Sequence, residues 1–288
     1  MKRLVLSSLA CLMIITLAGC SRIRLAYNQA DFLLARYADD YLGLTGDQID
    51  RWEPRLARVL AAHRREELPY LAAYFDRVRT AARSGFPASE SACLVGAFQD
   101  LYRRHIRLAV DLAVPLLAGL DQDQVQDLEE RFARDYTEDR PEPGRDLARE
   151  RRKRAKRWVE SIEDWTGALS PSQRNLVSEM TGRFPDTTES LFNYRTAKRA
   201  QLIGLLQSGA GEAKLRSFLT HWLVEYRDLP PDLERAGNTL GEGVSALLTE
   251  LGRTLDQTQR DRLDKRLSSW RDDFLDLQKD PRMVPPSC

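Results

Sequence analysis

This sequence predicts an all-α fold, a multi-helix bundle or a set of stacked helical hairpins with two related halves, and three observations predict it. Leu, Ala and Arg dominate the 288 residues, 30% of the chain is charged, and alternating runs of β-branched residues are missing. Apolar side chains recur at three- and four-residue spacings, the period of a helix with one buried face. The same helix-start signal also occurs four times, as Leu44-Thr45-Gly46-Asp47-Gln48, Leu120-Asp121-Gln122-Asp123-Gln124, Leu169-Ser170-Pro171-Ser172-Gln173 and Leu255-Asp256-Gln257-Thr258-Gln259. Each is a capping box behind a hydrophobic staple. The Thr, Ser or Asp oxygen accepts from the N3 amide, the N3 glutamine reaches back to the N-cap amide, and the leucine packs on the first turn. Pro171 stands at the first helical position, where its missing N–H costs nothing.

The first element, residues 1–19, is read as an export signal. Lys2 and Arg3 precede an apolar run, Leu4 to Leu17, that is too short to span a bilayer. It ends in Leu17-Ala18-Gly19-Cys20, which resembles the lipobox of bacterial lipoproteins. The resemblance implies that Cys20 is thioether-linked to a diacylglycerol, becomes the N-terminus by cleavage after Gly19, and is then N-acylated. The 269 residues that remain suffice for one large domain or two small ones. They are read as a helical domain over 20–280, with candidate halves 20–168 and 169–280, and a disordered Pro-bearing tail over 281–288. Loss of Lys2 and Arg3 turns the net charge of +1 into −1, which argues against a nucleic-acid partner.

After Cys20, positions Ile23, Tyr27, Ala30, Leu34, Tyr37, Tyr41 and Leu44 form one continuous helical seam. Only Ser21 and Arg22 separate it from the acylated cysteine, with no Ser/Gly-rich tether, so the body is expected to lie against the membrane. Further helices are expected near 46–67, 69–84, 89–118, 122–137, 145–168, 171–184, 187–208, 211–228, 232–252 and 257–278. Pro54 should kink the first of these or mark its start, and the segment from Thr137 to Gly144 is the best linker candidate. The four capping boxes fall into two pairs, 45 with 121 and 170 with 256. Their similar internal spacings are compatible with an old duplication.

Cysteine usage leaves Cys93 and Cys288 as a candidate disulfide once Cys11 is removed and Cys20 acylated. The alternative puts Cys93 in the core beside Leu94, Val95 and Phe98, with Cys288 unpaired at the terminus. His63, His105 and His221 show no zinc-ligand spacing and read as surface or packing residues, so neither a metal nor another cofactor is expected. Trp52, Trp158, Trp165, Trp222 and Trp270 read as large core fillers.

The densest charge cluster runs from Arg145 to Arg157. On one helix Arg145, Arg149, Arg152 and Lys156 would form a basic stripe, opposite an apolar face of Ala155, Trp158, Ile162, Trp165 and Leu169. That stripe is the candidate contact surface for anionic lipid or an acidic envelope protein. The plainer reading is a solvated face neutralised by neighbouring carboxylates. Glu90-Ser91, Glu160-Ser161 and Glu189-Ser190 share only a dipeptide with lytic transglycosylases, and no G-x-S-x-G, H-E-x-x-H or Walker-type loop occurs. The expectation is therefore a non-enzyme, with a glycan-cleaving enzyme as the alternative from that class.

With the lipobox, the helix from Tyr27-Asn28-Gln29-Ala30-Asp31 to Tyr41, the Leu44 to Gln48 start and Arg64-Arg65-Glu66-Glu67-Leu68-Pro69, the chain resembles an uncharacterised family of proteobacterial lipoproteins, a domain of unknown function. The likeness is strongest over residues 17–75 and extends over the mature chain. A looser resemblance, carried by Leu44, Thr45 and Gln48, is to the L-T-x-x-Q periplasmic chaperones of the Spy and CpxP type. Together these imply a lipoprotein on the periplasmic face of the outer membrane, since Ser21 resembles outer-membrane sorting. Its expected role is a helical binding or scaffold module, with a chaperone-like or stress-response role as the alternative.

Overall fold

The computed structural model describes residues 22–287; the signal, Cys20 and Cys288 lie outside them. The helices are α1 (Arg22–Asn28), α2 (Ala30–Leu42), α3 (Gly46–Glu66), α4 (Leu68–Arg83), α5 (Ala88–Ala118), α6 (Gln122–Asp139), α7 (Leu147–Thr166), α8 (Pro171–Gly182), α9 (Thr188–Gln207), α10 (Glu212–Thr220), a π-helical turn (His221–Glu225), α11 (Pro231–Thr254) and α12 (Gln257–Asp276). No strand occurs among the described residues, and none of their helices is long and apolar enough to cross a membrane. The all-α multi-helix architecture is as expected.

All four capping boxes form, with N-caps Thr45, Asp121, Ser170 and Asp256. The four then meet in two pairs. Gln48 and Gln124 exchange side-chain amide hydrogen bonds at 2.9 and 2.8 Å, and Gln173 and Gln259 exchange them at 2.9 Å each. The second nitrogen proton of each glutamine goes to the carbonyl two residues before its partner's N-cap. Gln48 donates to Gly119 O, Gln124 to Gly43 O, Gln173 to Thr254 O and Gln259 to Ala168 O, all at 2.7–2.9 Å. Every amide is thereby saturated, and the pairing follows the grouping of 45 with 121 and 170 with 256.

Two main cores result. One joins Ala81 and Ala82 of α4, Leu94 of α5, Val177 of α8, Leu247 and Leu251 of α11 and Leu263 and Leu267 of α12, with Trp158, Ile162 and Trp165 of α7 packed on it. The other joins Val110, Val114 and Leu117 of α5 to Leu128 of α6, Leu202 and Ile203 of α9, Leu215 and Leu219 of α10, and Val224. The candidate halves 20–168 and 169–280 thus intermingle in both cores. Trp52 is buried, and its indole donates to Leu112 O at 2.9 Å, beside the carbonyl that Pro115 deprives of its helical donor. Pro54 sits on the exposed side of a helix that continues through it, so the lost bond is solvated.

Close approach at one point demands glycine. Gly85 and Phe86 leave α4 in the left-handed region, at φ +75° and +54°, which turns the Phe86 ring into the core against Gly252. A Cβ at 252 would lie 2.7 Å from Phe86 Cδ2 and 2.9 Å from the Gly85 carbonyl oxygen. Gly252→Ala should therefore destabilise the fold by about 1–3 kcal/mol, since the backbone oxygen has no rotamer to escape into. Chemical denaturation measures it, and an unchanged midpoint would refute the packing argument.

Two expectations change. Residues 281–287 follow a defined path: Val284 N–H donates to Pro69 O at 3.1 Å, Arg282 N–H to Gln278 Oε1 at 2.9 Å, and Arg77 to Pro286 O at 3.3 Å. Groups of α4 and the end of α12 hold this stretch where composition alone suggests disorder. The continuous N-terminal helix is also interrupted, because Gln29 adopts a turn conformation between α1 and α2. Tyr37 stands 65% exposed and Leu34 38% exposed, off the packed seam.

Candidate functional site

The N-terminal arm, α1 with α2, and the polar cluster beneath it form the most elaborate arrangement around any of the sequence-selected segments. Ile23 and Tyr27 of α1 pack on Leu68, Ala72, Phe274 and Leu277. Arg24 forms ion pairs with Asp273 at 3.2 Å and Asp276 at 2.8 Å on α12. The Tyr27 hydroxyl lies 2.8 Å from His63 Nδ1 on α3. Arg64, stacked over the Tyr27 ring at 4.9 Å, donates to Asn28 Oδ1 at 3.2 Å and to Leu277 O at 2.9 Å. The arm is therefore clamped to the body from its first turn.

Beneath this clamp His63 faces His105 of α5, ring centroids 5.1 Å apart and edge to face. Glu67, buried at the α3–α4 junction, accepts a bidentate pair from Arg104 at 2.7 and 2.8 Å, and Arg104 also stacks 4.0 Å over Tyr70. Burial, reinforced by His105, pushes the His63 imidazole down to about 4. Burial also pushes the Tyr27 phenol up to about 12, so it keeps its proton and can donate to the neutral ring. The histidines, separated by 42 positions, are packing residues as expected, but as one pair. Among the described residues no group of three or more His, Cys, Asp or Glu could hold a metal ion.

The outer side of the arm carries exposed apolar residues that, among the described residues, no other helix covers, with Tyr37 stacked on Tyr41 of its own helix at 5.8 Å. Leu25, Phe32, Leu33 and Tyr37 are 56%, 60%, 49% and 65% exposed. On α2 these residues lie opposite Ala35, Ala38 and Leu42, which pack against Leu44, Trp52 and Leu56. The seam drawn through Ile23, Tyr27 and Tyr41 locates the packed side and passes over this second apolar side.

The basic stripe needs correction. Arg145 is not on α7, whose N-cap is Asp146: the Asp146 carboxylate accepts from the amides of Ala148 and Arg149 and starts the helix there. Arg145 is half-buried and donates to Asp186 at 3.1 Å. Arg149, Arg152 and Lys156 remain exposed, with Arg152 4.0 Å from Asp146 and Lys156 3.7 Å from Glu160. Arg154 turns back to cap the Phe184 and Pro185 carbonyls. The surface is basic, narrower than expected, and partly neutralised by its own helix.

Cys93 is half-buried and disulfide-bonded; Cys11, Cys20 and Cys288 all lie outside the described residues. Of the Glu-Ser pairs, Glu90 is held by Arg77 at 3.1 Å, while Ser91 is fully buried and bonded to Thr249 and Phe86 O. A further cluster has no counterpart in the sequence reading. Buried Lys198 meets Asp228 at 2.8 Å and lies near the rings of Tyr194 and Phe218, beside the π-turn that Tyr226 terminates at φ +52°. A left-handed cap usually falls to glycine, so no local signal marks it.

Neither a curated protein nor a solved structure matches the sequence. A family model does match, over residues 40–227, a stretch that takes in three of the four capping boxes and begins just past the exposed part of the arm. On that match the chain belongs to the family of unknown function DUF6279.

Proposed function

We propose that this protein is a lipid-anchored, non-enzymatic helical binding or scaffold module, held by acylated Cys20 against the periplasmic face of the outer membrane. The observation that carries the proposal is the clamped arm. Helix α1, described from Arg22, two positions after Cys20, is tied at once to α12 and α3 through Arg24, Tyr27 and Arg64. An acyl chain at Cys20 would therefore fix the whole body at the bilayer surface instead of trailing it on a tether. The Cys93 disulfide supports an oxidising compartment. We assign Cys288 as its partner, because Ser287 lines a groove with Ala97, one helical turn from Cys93.

The binding role rests on what the motifs do. In all four L-[TSD]-x-x-Q copies the polar side chains are consumed by capping and by each other, which favours helix initiation over client recognition as the meaning of the chaperone-like motif. The Glu90-Ser91 pair similarly has structural partners. Exposed Arg149, Arg152 and Lys156 remain the contact surface for an anionic lipid or acidic protein.

Wild-type protein should fractionate with outer membranes and Cys20→Ala should not, because two or three acyl chains anchor far more firmly than one. Intact mass should show the diacylglycerol and acyl additions, and non-reducing peptide mapping should recover Cys93 linked to Cys288. An unmodified Cys20 in membrane-derived protein would overturn the proposal.

A further inference from the structure

Among the described residues no other helix covers the outer side of the arm, and what lies next to it in the chain indicates its occupant. Phe32, Leu33 and Tyr37 stand on one side of α2, Leu25 stands on α1, and all four are about half exposed or more. Exposed Arg22 stands at the start of α1, and exposed Arg36 stands between Leu33 and Tyr37 on the same side of α2. Large apolar and aromatic residues with arginine among them suit a helix lying in a lipid interface, where a long guanidinium side chain reaches phosphate level while the rings sit at the acyl boundary. A helix rises 1.5 Å per residue, so Leu33 lies within about 17 Å of Arg22, which follows Cys20 by two positions.

We infer that the Leu25, Phe32, Leu33 and Tyr37 face inserts into the interfacial layer of the leaflet that holds the Cys20 acyl chains, so the arm is a second, non-covalent membrane contact. This rests on Cys20 being acylated. It adds an orientation: the arm lies flat, and the clamp through Arg24, Tyr27 and Arg64 sets the α12 and α3 side of the body just above the head groups. Arg36 faces Asp40 at 3.6 Å on the same side, both well exposed, so the pair is weak and its polar ends stay at the head-group level while the rings go deeper.

The test uses the full lipoprotein, extracted and reconstituted into phosphatidylethanolamine–phosphatidylglycerol vesicles with brominated acyl chains. Leu33→Trp adds a reporter to the exposed face, and subtraction of the wild-type emission isolates it. The brominated chains should quench the introduced indole about twofold, at the depth an interfacial helix reaches, while aqueous iodide leaves it unquenched. Leu191→Trp, on the exposed side of α9, should show the reverse. Quenching that persists in about 1 M salt, where the Debye length is ~3 Å, supports apolar insertion over contact by the basic α7 surface. Iodide quenching of the Leu33→Trp reporter with no effect of bromine overturns the inference. The mass of the same preparation separates the two readings: acyl chains without quenching reject only insertion, and their absence rejects the anchor and the insertion together.

Discussion

Gln173→Leu is expected to lower the free energy of unfolding by about 3–5 kcal/mol, with about 1–3 kcal/mol for each buried polar group left without a partner. Gln173 is 4% exposed and its partner Gln259 5%. Removing its amide strands the Ser170 N–H, the Thr254 carbonyl and one proton of Gln259. Gln173→Leu combined with Gln259→Leu should cost clearly less than the sum of the single changes, because the second substitution removes groups the first already stranded. Gln48→Leu in the other pair should cost less, since that residue is only half-buried and water can reach the vacated groups. Urea denaturation of the wild type, Gln173→Leu, Gln259→Leu and the double variant closes the cycle. Additive losses would mean that the amides act independently and that the pairing carries no energy of its own.

The second large effect is acid sensitivity through His63. In the unfolded chain its imidazole takes a proton near 6.5, whereas burial under Tyr27 and beside His105 delays protonation in the folded state to about 4. Between these values the unfolded state binds more protons than the folded one. Stability from this group is thus complete above pH 6.5 and declines as pH falls to about 4, where the loss levels off at roughly 3 kcal/mol. Burial sets this sign, and the charges around the ring do not reverse it. His105 from α5 and Arg64 from its own helix reinforce the shift, Tyr27 from α1 offers no charge, and the Glu67 carboxylate, shared with Arg104, opposes it without overcoming burial. His63→Phe should flatten the pH profile over that window at a modest cost from the lost Tyr27 bond. A slope unchanged by the substitution would assign the acid sensitivity to other groups.

Helix starts are legible in the sequence because a capping box is closed within four residues: Thr45, Asp121, Ser170 and Asp256 all cap as read. What the glutamines do beyond their own helices is not, because the carbonyls they meet lie 71 to 91 positions away. Arg145 falls outside its expected helix for a local reason. Asp146 is a better N-cap than any residue before it, and it shuts Arg145 out. The exposed side of the arm is visible as Leu25, Phe32 and Leu33, but a seam drawn through the strongest period says where a helix packs and not what its other side meets. The meeting of His63 with His105 is tertiary and leaves no spacing to find. Composition misleads over the Pro-bearing tail because it takes no account of Pro69, which lacks an N–H but keeps a carbonyl for Val284.

Helix α5 extends about 46 Å at 1.5 Å per residue and gives one end to each main core. Such a rod makes the cores a single foldon. To open either one, α5 must leave it as a unit or fracture near its half-exposed middle at Phe98 and Tyr102, and fracture creates two new helix ends with bare amides and carbonyls. The molecule thus gains cooperativity from one shared strut where two separately closed domains would have had only a linker. Damage to the Gln173–Gln259 lock at one end will register as faster hydrogen exchange beside Val114 at the other.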